Sequence, residues 1–166
     1  MSGDLFPPPA GPRLWLSNFA SARSEGHHGP GRVLTIMRRP RAHLGEWGEG
    51  RVETFAPPAW MLPRVKSGAM DFATYVRCLK DLWSSCYGMR PGELGYEPLG
   101  QPSPPLIEVV SGDTLCCCCA RGKPCHRWVA ADFLLRVGWR VTLDGRDVDR
   151  DAVAELLKET GDGTPG

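Results

Sequence analysis

The chain has 166 residues, 42% of them hydrophobic, and a formal net charge of +1 at neutral pH. That length supports one domain with a real core but hardly two, and the near-zero charge gives no strong nucleic-acid signal and no pull toward a membrane surface. No run approaches the roughly 18 apolar residues of a spanning helix, and the N-terminal MSGDLFPPPAGPR lacks the basic-then-apolar order of a signal peptide.

Seven cysteines, four of them consecutive, suit a reducing compartment better than a disulfide framework, so a cytoplasmic location is expected. Among the basic residues Arg outnumbers Lys sixteen to four, a bias that genome composition explains as well as function does.

Residues 1–12 carry three consecutive prolines and little to bury, and read as an extended lead-in. A single α/β domain is expected over 13–160, followed by a disordered tail over 161–166. Arg13 to Phe19 alternates well enough for a short strand, with Ser17 and Asn18 at its end. Ala20 to Gly31 reads as a loop with room for a helical turn, and its adjacent His27 and His28 as solvated side chains, since no matching ligand pattern lies nearby.

Arg32 to Met37 is an apolar run of the kind buried on both faces of a parallel sheet. Arg38 and Arg39 follow it, placed either to meet an anionic ligand or simply to cap the wet edge of the sheet. From Ala42 to Pro63 the Gly, Pro and Trp content predicts an irregular loop or lid with a short strand at Arg51 to Phe55, and Trp47 and Trp60 as core or cover.

Asp71 to Tyr87 is the most regular helix. Phe72, Tyr75, Val76, Leu79, Leu82, Trp83 and Cys86 recur at three and four, Asp71 caps the first turn, and Arg77, Lys80 and Asp81 face away. Cys78 and Cys86 then act as small hydrophobes. A Pro/Gly connection fills 88–105, and Leu106 to Val110 is a further candidate strand.

The stretch Asp113 to Asp144 reads as strand (Thr114 to Cys118), turn (Ala120 to Pro124), helix (Cys125 to Val137, closed by Gly138) and strand (Trp139 to Leu143). Two strands joined by a crossover helix form a parallel unit, and ligands gather outside the carboxyl ends of such strands. A final helix starts at Asp147 or Asp149 and runs to about Thr160.

The loop of the central unit gathers Cys117, Cys119, Cys125, His126 and Arg127, and three readings of it stand open. In the first, Cys125 at a helix N-terminus is an acidified nucleophile, with His126 as acid or base, Cys117 completing the site and Arg127 clamping an anion. In the second, Cys117, Cys119, Cys125 and His126 hold a structural zinc ion, although their spacing departs from paired CxxC knuckles. In the third, the cysteines only pack. Cys116 and Cys118, on the opposite side of the strand from Cys117 and Cys119, are expected to pack beneath helices.

With those residues identified, the chain resembles the family known as domain of unknown function 488. The resemblance is carried by SNF (Ser17 to Phe19), TIMRRP (Thr35 to Pro40), APPAWMLPRVKSG (Ala56 to Gly68) and DFATYVRCL (Asp71 to Leu79). Its most specific part is a leucine-x-cysteine strand followed by cysteine-histidine-arginine, here Leu115, Cys117, Cys125, His126 and Arg127. Cys119 stands where many relatives carry glutamate; a cysteine there more closely resembles a related uncharacterised family with a cysteine-x-cysteine strand, and favours metal or thiol chemistry over acid/base work.

The resemblance implies a small Rossmann-like, three-layer α/β domain with a mostly parallel sheet and its site at the Cys-His-Arg turn. The leading expectation is an enzyme or binding domain for a small anionic, nucleotide- or nucleoside-like ligand held by Arg127, Arg38, Arg39, Ser17 and Asn18. The alternative is a non-enzymatic, zinc-stabilised module that binds protein or nucleic acid.

Overall fold

The computed structural model describes residues 11–37, 50–86, 89–92, 95–98, 109–119 and 123–159. Its elements, in order, are β1 (Arg13–Asn18), α1 (Phe19–Glu25), β2 (Val33–Thr35), a 3₁₀ turn (Glu53–Phe55), α2 (Met61–Lys66), α3 (Phe72–Cys86), β3 (Met89–Gly92), β4 (Gly95–Pro98), β5 (Thr114–Cys117), α4 (His126–Arg136), β6 (Arg140–Leu143), β7 (Arg146–Val148) and α5 (Arg150–Glu159).

The main sheet has the order β2-β5-β1-β6-β7, and β3 and β4 form a separate hairpin. β2, β5, β1 and β6 run parallel, and β7 folds back antiparallel on β6. The fold is therefore α/β with a mixed, mostly parallel five-stranded sheet. In the central pair Leu16 lies beside Leu115 and Asn18 beside Cys117, so the ends of β1 and β5 coincide. No helix among the described residues is long and apolar enough to cross a membrane.

Burial explains the strand composition. Leu14, Leu16, Leu115, Cys116, Val141 and Leu143 are all buried, as the central strands of a covered parallel sheet require. Phe55, Trp83 and Phe133 meet edge to face with ring centroids 5.0 to 6.1 Å apart, joining the 3₁₀ turn, α3 and α4. Asp71 caps α3 by accepting from the Thr74 amide at 2.6 Å, and Asp149 caps α5 by accepting from the Ala152 amide at 2.8 Å.

Several expectations need correction. Residues 19–25 and 61–66 are helical, because tertiary contacts hold short segments that have too little periodicity to reveal themselves. Arg51 makes a single bridge to Thr35 and the chain then enters the 3₁₀ turn, so the expected strand does not extend to Phe55. A hairpin occupies part of the expected 88–105 connection. Val109 and Val110 are not in a strand, and 106–108 lie outside the described residues.

Trp60 is 52% exposed rather than core, with Arg64 stacked over its ring; Trp47 lies outside the described residues. Cys86 is exposed at the end of α3, and Lys80 turns inward to pair with Asp132 on α4.

Helix α4 is buried on every side from His126 to Leu134, not along one stripe. The pairs that Asp132 makes with Lys80 and with Arg136, the latter at 2.9 Å, are what make its buried carboxylate tolerable.

Candidate functional site

The carboxyl ends of the four parallel strands converge on one place. Cys117 is the last residue of β5, Asn18 the last of β1, Ile36 follows β2, and Asp144 follows β6. Cys125 is the N-cap of α4, extended at φ −150° and ψ 150°, and its side chain makes no capping bond. Its thiol is free to turn back toward the sheet, where its Sγ lies 3.2 Å from that of Cys117. The Sγ atoms of Cys117, Cys119 and Cys125 all lie within 4.8 Å of one another.

His126 lies just outside that three-sulfur group. Its Nδ1 is 3.6 Å from the Cys125 sulfur, and its Nε2 is 3.0 Å from the carbonyl oxygen of Ile36. A carbonyl can only accept, so Nε2 carries a hydrogen toward Ile36, and Nδ1 is the ring nitrogen that faces the Cys125 sulfur.

Arg127 is 0% exposed. Nη1 donates to Cys117 Sγ at 3.2 Å and to the Cys119 carbonyl at 3.3 Å, while Nε and Nη2 donate to Asp144 Oδ2 at 3.3 and 3.1 Å. The guanidinium is thus engaged by acceptors of the protein itself.

The charges follow from these contacts. Hydrogen bonds from Cys119 and Cys125, then the charges of His126 and Arg127, hold the Cys117 thiol well below its ordinary range against the opposing effect of burial. Burial first, and then the bond to Cys117, pushes Cys125 up to about 12. Cys119 is also raised, chiefly by its hydrogen bond to Cys117.

Of the three thiols, Cys117 is the one favoured toward the thiolate, while Cys119 and Cys125 are shifted the other way. At Cys125 burial acts against the acidification expected at a helix N-terminus.

Burial opposes the charge on Arg127, but Cys117, Cys125 and Asp144 together raise its affinity for the proton. Tyr75, on α3, is buried, and its hydroxyl is pushed upward first by burial and then by negative charge on Cys125, Cys119 and Cys117.

The remaining predicted residues are placed differently. Ser17 is buried and its hydroxyl donates to the Asn18 carbonyl at 3.3 Å, while the Asn18 side chain caps α1 by accepting from the Ser21 amide at 2.7 Å. Arg38 and Arg39 lie outside the described residues. Cys116 is buried on the other face of β5, but Cys118 is exposed because the strand ends at Cys117. His27 is half-buried, with Nε2 3.3 Å from Glu25; His28 is exposed, with Nδ1 2.9 Å from the Gly29 carbonyl.

Asp144, the Ile36 carbonyl and Tyr75 were not anticipated. Asp144-Gly145 after an apolar strand is a hairpin signal that would have placed the carboxylate at the strand end, and both residues have positive φ, 49° and 84°. The contacts of Ile36 and Tyr75 leave no local trace in the sequence. No family model, curated protein or solved structure matches this chain, so the site has to be understood from its own atoms.

Proposed function

We propose that the chain is a Rossmann-like, three-layer α/β domain that binds a thiophilic metal ion, zinc by the chemistry of its donors, through Cys117, Cys119 and Cys125. The observation that carries this is the convergence of three sulfurs within 4.8 Å of one another at the carboxyl edge of the sheet. Zn–S bonds of about 2.3 Å in a tetrahedral site set sulfurs about 3.8 Å apart, within reach of that arrangement.

His126, with Nδ1 3.6 Å from the Cys125 sulfur, is the candidate fourth donor. Hydrogen bonding of its far nitrogen to a backbone carbonyl is how metal-binding imidazoles are oriented. A set of three thiolates and one imidazole suits zinc over magnesium or calcium.

Other features support the rest of this reading. The β1-to-β2 and β5-to-β6 connections leave the central strand pair toward opposite edges of the sheet, and right-handed crossovers then put α1 and α4 on opposite faces. The seven cysteines are all free thiols, which suits a cytoplasmic setting, and kinship with the domain of unknown function 488 family belongs to the same proposal.

A second reading is favoured by the depressed Cys117 thiol: a thiol enzyme acting on a small anionic ligand, with Cys117 rather than Cys125 as nucleophile and the anion held by groups other than Arg127.

Elemental analysis of the purified, reduced full chain tests the metal reading. About one zinc per chain is expected, with loss in Cys117→Ser and in Cys119→Ser. A zinc-free protein that gains none on titration, and whose Cys117 alkylates rapidly at neutral pH, would overturn it in favour of the thiol enzyme.

A further inference from the structure

We infer that Cys117 and Cys125 form a redox pair that closes to a disulfide under a peroxide oxidant and so releases the metal ion bound by the same three sulfurs. Disulfide formation stands on the geometry of the pair alone; release of the ion rests on the metal reading above.

The sulfurs of Cys117 and Cys125 are 3.2 Å apart, closer by about 0.6 Å than the sulfurs of a tetrahedral zinc site. A disulfide of about 2.05 Å needs a further approach of only about 1.2 Å. Both side chains are buried, one on the last residue of β5 and the other on the cap of α4, so each sulfur already has the other as a neighbour. The Cys125 side chain makes no capping bond that would resist the move. Cys119, beyond the end of the strand and only partly buried, is the thiol left over.

In the reaction, the Cys117 sulfur attacks one peroxide oxygen, the O–O bond breaks, and hydroxide leaves. The resulting S–OH is attacked by the Cys125 sulfur, the S–O bond breaks, and a second hydroxide leaves. Protons from the thiols and from solvent convert both hydroxides to water. The two sulfurs together give up two electrons, and the peroxide is reduced to two waters. Two of the three sulfur donors are then tied into one bond, and Cys119 with His126 is too small a set to retain zinc.

The test treats the metal-free, reduced full chain with hydrogen peroxide and maps cross-linked peptides by mass spectrometry. A link between the Cys125 peptide and the peptide containing Cys116 to Cys119 is expected, abolished by Cys117→Ser and kept by Cys119→Ser. No link, a link that survives Cys117→Ser, or one lost in Cys119→Ser would overturn the pair.

The same treatment of zinc-loaded protein should release about one zinc per disulfide formed, read with a chromogenic chelator. Zinc retained after the disulfide has formed would overturn the release. A protein that forms the link but never binds zinc would fail the metal reading and leave the redox pair standing.

Discussion

Arg127 and Asp144 meet at the carboxyl edge of the sheet, where Nε and Nη2 of the guanidinium both donate to one carboxylate oxygen, at 3.3 and 3.1 Å. Asp144 sits at the tip of the β6–β7 hairpin and Arg127 in the first turn of α4, so the pair ties the hairpin to the helix that carries Cys125. The opposite edge of the same guanidinium holds the Cys117 sulfur.

Removing the carboxylate leaves a buried guanidinium without its carboxylate partner. Asp144→Ala is expected to cost about 3 kcal/mol, the low end for breaking a buried pair because the Asp144 side chain is 17% exposed. Urea unfolding measures this, and a loss below about 0.5 kcal/mol would mean that the pair does not brace the site.

Acid sensitivity should centre on Asp113. Burial raises the affinity of its carboxyl for a proton, but hydrogen bonds from Arg32 and from the Val110 amide outweigh it and hold the group below its ordinary range. A depressed folded value means that the stabilisation is present above the unfolded value of about 3.9 and is lost as pH falls through the folded one. Asp113→Asn should be less stable by about 1–2 kcal/mol at neutral pH and show a flatter acid limb. Equal pH slopes below pH 4 in the two proteins would contradict this.

Alkaline sensitivity has a different origin. Burial, reinforced by the charge on Cys117, pushes the Cys116 thiol up to about 12. For a thiol raised in the folded state, the stabilisation is present below the unfolded value of about 8.5 and lost as pH rises from there toward the folded one, at about 1.4 kcal/mol per pH unit. Unfolding under reducing conditions between pH 8.5 and 10.5 should therefore be less pH-dependent in Cys116→Ala than in the parent chain.

The hairpin turn can be tested at Gly145. Its φ is +84°, and a Cβ there would lie 2.8 Å from the His27 ring, so Gly145→Ala should cost about 2 kcal/mol from backbone strain and collision together. Adding His27→Ala removes the collision and leaves the strain. A double variant no more stable than the sum of the two singles predicts would show that the contact is not the cause.

Much of this architecture is local and therefore readable. The apolar run from Thr114, expected to reach Cys118 and forming strand as far as Cys117, the 3.6-residue period of α3 and the caps at Asp71 and Asp149 depend on neighbours within a few residues, and the chain adopts them. The Cys-His-Arg turn was legible for the same reason, because one strand, one turn and one helix bring its members together.

The rest is non-local. Neither the burial of Cys125 nor the partners of Arg127 can be read from position alone. The first depends on how deeply α4 is packed, and the second includes a carboxylate 17 residues away.

By itself, then, the sequence determined an α/β chain with a parallel strand-helix-strand unit and a thiol-rich loop at its carboxyl end, because hydrophobic period and turn chemistry act over short distances. Only the tertiary structure decided which of those groups meet. β1 lies between β5 and β6, and this brings Asp144 within reach of Arg127. β2 lies on the other side of β5, where the Ile36 carbonyl meets His126, 90 positions away. α3 packs against α4, with Tyr75 buried and close enough to the cluster to feel its charge. The physical reason is that strand order is set by burial and crossover geometry over the whole chain, so residues far apart in sequence meet only once the sheet is assembled.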